Sequence, residues 1–96
     1  MYMPNIPKLL RASHILVETE QQARQLMEQI QSGSSFTDLA KQHSRCPSGR
    51  AGGDLGQFPL GAMVSEFERA VVDNAVGSII GPVKTQFGYH VVQRTE

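Results

Sequence analysis

C-P-S-G-R-A-G-G-D-L-G-Q-F-P-L-G-A-M-V-S-E-F, residues Cys46 to Phe67, holds five of the nine glycines and the single cysteine of this 96-residue protein. No regular helix is expected there. Gly49, Gly52, Gly53, Gly56 and Gly61 each cost a helix or strand interior about 0.5–1 kcal/mol relative to Ala, so tight turns and close backbone approaches should shape the segment. A tolerant surface loop is the plainer reading. Such loops rarely carry four large apolar groups, and Leu55, Phe58, Met63 and Phe67 need either burial or a ligand to cover them.

Working outward from this stretch, Arg11 to Val17 (R-A-S-H-I-L-V) reads as a strand with Ala12, His14 and Leu16 on one face and Ser13, Ile15 and Val17 on the other. Thr19 with Gln22 forms a capping-box pattern, and Ala23, Leu26, Met27 and Ile30 recur at helical spacing before Gly33. Ser35 with Asp38 starts a second helix whose inward face is Phe36, Leu39, Ala40 and His43. Within the glycine-rich stretch, Leu55 to Phe58 reads as a short strand. Ser65 and Glu68 repeat the capping-box pattern, so Phe67, Ala70 and Val71 become the buried stripe of a third helix ending before Gly77. Ile79 to Lys84 and Tyr89 to Arg94 are strand-like runs separated by Thr85, Gln86, Phe87 and Gly88, the pattern of an antiparallel hairpin. The order strand, helix, helix, strand, helix, strand, strand predicts an α+β domain with helices packed on a small, mostly antiparallel sheet. Pro4 and Pro7 predict a flexible arm over residues 1–10, with the folded domain in 11–96.

A protein of this length buries roughly two-thirds of its unfolded surface, enough for one core. It should fold alone, as a monomer. Nine Lys plus Arg balance nine Asp plus Glu, which argues against a nucleic-acid binder and against a polybasic membrane contact. One Cys cannot form an internal disulfide, no apolar run approaches the roughly 20 residues of a membrane span, and Met1 to Leu10 lacks the layout of a signal peptide. A reducing, cytoplasmic setting is the expectation.

His14 and His90 fall on the first and last strands, which commonly pair in small sheets, so the two imidazoles can meet. A neutral imidazole has one donor and one acceptor, so such a pair can pass a hydrogen bond along to a hydroxyl such as Ser13 or Thr85. A bound metal is not expected, because C-x-x-C and H-E-x-x-H spacings are absent and only Cys46 and His43 could add soft ligands. A Cys–His thiol hydrolase is a rival reading of Cys46, and a small buried hydrophobe is another. G-R-A-G-G-D-L-G lacks the Lys-Ser/Thr ending of a phosphate loop, which sets nucleotide binding aside.

H-I-L-V near the start, C-P-S-G-x-x-G-G-D-L-G-x-F in the middle, G-x-M-V-x-x-F after it and F-G-Y-H-V-V at the end resemble the parvulin family of peptidyl-prolyl cis/trans isomerases. The resemblance covers Ala12 to Glu96. It implies a four-stranded antiparallel sheet wrapped by helices, with His14 and His90 paired under the site, Thr85 as their hydroxyl neighbour and Cys46 beside the reacting bond. Leu55, Met63 and Phe67 correspond to the apolar pocket for the proline ring. Phosphoserine-directed members carry a long basic loop between the first strand and first helix, whereas here little more than Glu18 separates Val17 from Thr19. Phe87 stands where those members have a small polar residue and extends the apolar wall. The resemblance therefore implies rotation of X-Pro bonds in proline-containing peptides and flexible or unfolded protein segments, with no phosphate requirement and no cofactor. The competing reading is a non-catalytic proline-motif or chaperone domain. Retention of His14, His90, Cys46, Met63 and Phe67 argues against it.

Overall fold

The structure is a computed structural model and describes residues 9–96. Eight elements follow one another: β1 (Leu9–Val17), α1 (Glu20–Gln31), α2 (Phe36–His43), a 3-10 turn (Pro47–Ala51), β2 (Asp54–Pro59), α3 (Ser65–Val72), β3 (Ile79–Thr85) and β4 (Gly88–Arg94). The four strands form one antiparallel sheet in the order β2-β1-β4-β3, which makes this the expected α+β domain.

β1 and β4 are the two central strands, so both of their faces are covered. Alternation then separates two apolar layers. Ile15, Val17 and Val91 pack with Ala23 and Leu26 of α1 and with Phe36, Leu39 and Ala40 of α2. Leu10, Ala12 and Val92 face the other way, against Phe58 of β2 and Phe67 and Val71 of α3. Helix α1 starts where its capping box predicts, with the Thr19 hydroxyl accepting from Gln22 N and the Gln22 side chain returning a bond to Thr19 N. Ser35 caps α2 through Asp38 N in the same way.

Several expectations need correction. The strand begins at Leu9, and Leu10 is fully buried, so residues 9 and 10 belong to the sheet; the rest of the expected arm lies outside the described residues. His43 is exposed, because it falls on the last turn of α2, beyond the buried stripe that ends at Ala40. The pattern at Ser65 and Glu68 is not a capping box. Glu68 N donates to Val64 O at 3.0 Å, which starts the helix one residue earlier, and the Glu68 carboxylate accepts from Gly61 N instead. Proline at the first position and a tight i to i+3 pattern also let a short 3-10 turn form at Pro47–Ala51, inside the stretch expected to hold no helix.

The register of β1 against β2 slips between Arg11 and Ser13. Arg11 bridges the slip: its guanidinium grips Asp54 at 2.6 and 3.1 Å. The Asp54 carboxyl is held below the ordinary carboxylate range by that guanidinium first and by Gly56 N–H second. This pair ties the start of β2 to the sheet and so sets where the glycine-rich segment re-enters it.

Candidate active site

β1 and β4 pair with His14 opposite Val92 and Leu16 opposite His90, which puts the two imidazoles diagonally on the α3 face of the sheet. Their Nδ1 atoms are 2.9 Å apart and the rings lie within 18° of parallel. On the far side of His90, the Thr85 hydroxyl is 2.6 Å from Nε2 and also accepts from Phe87 N at 3.2 Å. The hairpin therefore supplies both the second histidine and the hydroxyl that anchors it. Ser13, the other hydroxyl considered, makes no bond to either imidazole; it alternates onto the opposite face.

An Nδ1 to Nδ1 hydrogen bond needs one donor and one acceptor, so at least one ring must stay neutral and the bond cannot form once both are protonated. Burial, and then the neighbouring His90, push the His14 pKa down to about 4, and burial lowers that of His90 as well. Phe67 presses on the pair nearly edge-on, with ring centroids 5.6 Å from each imidazole. The result is a polar but uncharged floor.

Cys46 is brought beside this floor by backbone bonds to β1. Ser44 Oγ accepts from Leu16 N at 3.1 Å and from Cys46 N at 3.3 Å, while Arg45 N donates to Leu16 O at 2.8 Å. β2 pairs with β1 only as far as Ser13, and these bonds occupy the strand edge beyond it. The returning backbone approaches again at Gly53, whose carbonyl accepts from His14 N at 2.9 Å. With φ of +88° and the site of a Cβ only 2.4 Å from His14 O, this position admits only glycine. Here the close backbone approach expected of the glycine-rich stretch is made on the strand that carries the first histidine.

Seven of the eight expected residues converge on one cleft of about 470 Å³: His14, Cys46, Leu55, Met63, Phe67, Phe87 and His90. Thr85 stands behind His90, outside the lining, and touches the cleft only through its hydrogen bond to that ring. Phe87, 62% exposed, forms the rim. The sequence reading missed Leu16, Arg45, Pro47, Ala62 and Val64, which complete the lining. Leu16 was readable, since it shares the His14 face; the others are chain neighbours of Cys46 and Met63 and enter the lining with them. Arg45 pairs with Glu18. Half-buried Cys46 is a free thiol. Among the described residues no group of three His, Cys, Asp or Glu side chains converges as a metal-ligand set.

Residues 9–96 match the family model described as Rotamase, PPIC-type PPIASE domain. The chain is 44% identical over 96 residues to the foldase protein PrsA of Geobacillus kaustophilus, a match covering 99% of this chain and 34% of that protein. It thus spans about a third of the length of such curated relatives. A crystal structure of the peptidylprolyl isomerase PrsA from Bacillus anthracis superposes with a TM-score of 0.89 at 43% identity, covering 91% of this chain and 41% of that one. The solution structure of the parvulin of Nitrosopumilus maritimus gives a TM-score of 0.85 at 38% identity and covers 96% of this chain and all of that one. With the family model spanning every described residue, and with the paired histidines and apolar cleft in place, the chain belongs to the PPIC-type, or parvulin, family of peptidyl-prolyl cis/trans isomerases.

Proposed function

We propose that this domain accelerates rotation about X-Pro bonds in flexible or unfolded protein segments, assisting their folding, and that it needs no phosphate before the proline. The observation that carries the reading is the apolar wall of Leu55, Met63 and Phe67 beside an uncharged histidine pair. The barrier to amide rotation, about 18–20 kcal/mol, comes from the partial double bond of the planar amide. That planar form places negative charge on the carbonyl oxygen. A dry cleft that grips the ring disfavours the charge-separated state relative to the twisted one. An imidazolium beside the carbonyl would do the opposite, so the low pKa of both histidines suits the reaction. Arg45 is the cation lining the cleft among the described residues, and its pairing with Glu18 mutes its field.

The test is exchange spectroscopy on an unphosphorylated X-Pro peptide with catalytic amounts of protein. Faster exchange is expected, with no gain on phosphorylating the residue before proline. Binding without faster exchange would move the domain to the non-catalytic proline-binding class.

No bond need break, so Cys46 is assigned a polar rather than nucleophilic role. Nucleophilic attack requires a thiolate, and an ordinary thiol has a pKa of about 8.5. Cys46→Ala should keep reduced but measurable turnover while folded. Cys46→Asp should keep more, because a carboxylate also disfavours the electron-rich carbonyl of the planar amide. Complete loss in a folded Cys46→Ala variant, with an adduct trapped on the parent, would restore the covalent route.

The reading also includes a monomer working in a reducing, cytoplasmic setting on protein rather than nucleic-acid or membrane partners. Its support is the lone free thiol and the balanced charge. Light scattering and cell fractionation test these two points.

A further inference from the structure

A second concavity, of about 370 Å³, adjoins the apolar cleft and is lined by Val17, Glu18, Gln25, Gln29, His43 and Arg45 among others. The two share a wall. Arg45 lines both, Leu16 faces the cleft and the next residue, Val17, faces the second groove. Arg45 N bonded to Leu16 O holds this divide in place, and the Glu18–Arg45 pair lies along it. Both partners are about 60% exposed, so the pair is weakly held and can swing aside.

The chemistry of the groove differs from that of the cleft. Leu26 and Val17 give it a buried apolar floor. Gln22, Gln25 and Gln29 stand above the floor along one face of α1, spaced three and four residues apart. The Gln22 carbonyl is spent on Glu18 N and Thr19 N, whereas the amides of Gln25 and Gln29 have no hydrogen-bond partner among the described residues. A primary amide offers donors and an acceptor together, the complement of the carbonyl and N–H groups along an extended peptide backbone. Such recognition reads backbone rather than side chain.

We propose that this groove is a subsite for the backbone of the same substrate, a few residues to one side of the proline. The proposal rests on the reading of the apolar cleft as the prolyl site. A peptide held in the cleft must leave it past one rim, and the Arg45 rim opens directly onto free amides.

The experiment compares a proline tetrapeptide with two longer series, one extended by five residues before the proline and one by five after it. One series alone should show a KM lower by about three- to tenfold at similar kcat, the effect of about two added hydrogen bonds. In Gln25→Ala/Gln29→Ala that advantage should shrink to about one. The side-chain amide signals of both glutamines should shift with the favoured long peptide and not with the tetrapeptide. Equal KM for all three peptides, or a length advantage that survives the double substitution, overturns the subsite. Failure of the prolyl-site reading looks different: the tetrapeptide itself would show no catalysed exchange, and the subsite would fall with it.

Discussion

Phe67→Ala is expected to lower unfolding free energy by about 3–5 kcal/mol and to abolish X-Pro turnover. Phe67 is only 3% exposed, and it packs with Leu10, Ala12, Phe58, Val71 and Val92 while its ring presses on both imidazoles. Truncation leaves a cavity under the cleft that a small core cannot collapse to fill. Domains hold only about 5–15 kcal/mol in total, and each 1 kcal/mol moves the melting point of a protein this size by about 4–8 °C. A fall of roughly 12–40 °C should therefore be seen by circular dichroism. Phe67→Leu separates the two roles. It keeps most of the apolar volume and should fold, yet it loses the ring edge that meets the histidines, so kcat/KM should still drop. A melting point within a few degrees of the parent for Phe67→Ala would take Phe67 out of the core. Undiminished turnover in Phe67→Leu would take it out of the proline site.

What could be read from the sequence was whatever a few neighbouring residues decide. The capping box at Thr19 and Gln22, the helical spacing of Ala23 and Leu26, and the hairpin around Gln86 and Phe87 are local, and each formed as read. The meeting of His14 with His90 was legible for a different reason: each lies on a strand, and pairing of the first and last strands places them on one face. Where a pattern has two solutions, contacts from outside the pattern chose. Ser65 and Glu68 match a capping box, but the Gly61 N–H competes for the Glu68 carboxylate and Val64 takes the cap position. Ser44 shows the limit most clearly. Next to α2 it reads only as a turn residue, yet its hydroxyl joins β1 to Cys46 across 28 positions of sequence. Arg45 likewise enters the cleft only because its backbone is pinned to Leu16.

The histidine pair yields the second large effect, and the two single substitutions should not be equal. His90→Ala removes a partner from both the Thr85 hydroxyl and His14 Nδ1, whereas His14→Ala removes one from His90 Nδ1 alone. At about 1–3 kcal/mol for each buried group left unpaired, His90→Ala should be the costlier of the two. The double variant His14→Leu/His90→Leu removes both ends of the shared bond and should cost less than the sum of its singles. Acid supplies an independent test. The unfolded state's histidines bind a proton near pH 6.5, whereas the folded His14 does so only near pH 4, because burial first and the neighbouring His90 second disfavour its charge. The unfolded state thus holds more protons throughout that window, and stability rises with pH across it. The contribution is complete above about pH 6.5 and is lost as pH falls toward 4, a change on the order of 3 kcal/mol for that ring. Melting points between pH 7 and pH 4 should fall steeply in the parent and much less in the double Leu variant. A parent profile that is flat across this window would mean that the rings are not held neutral, and with that the uncharged floor on which the rotational mechanism depends would be gone.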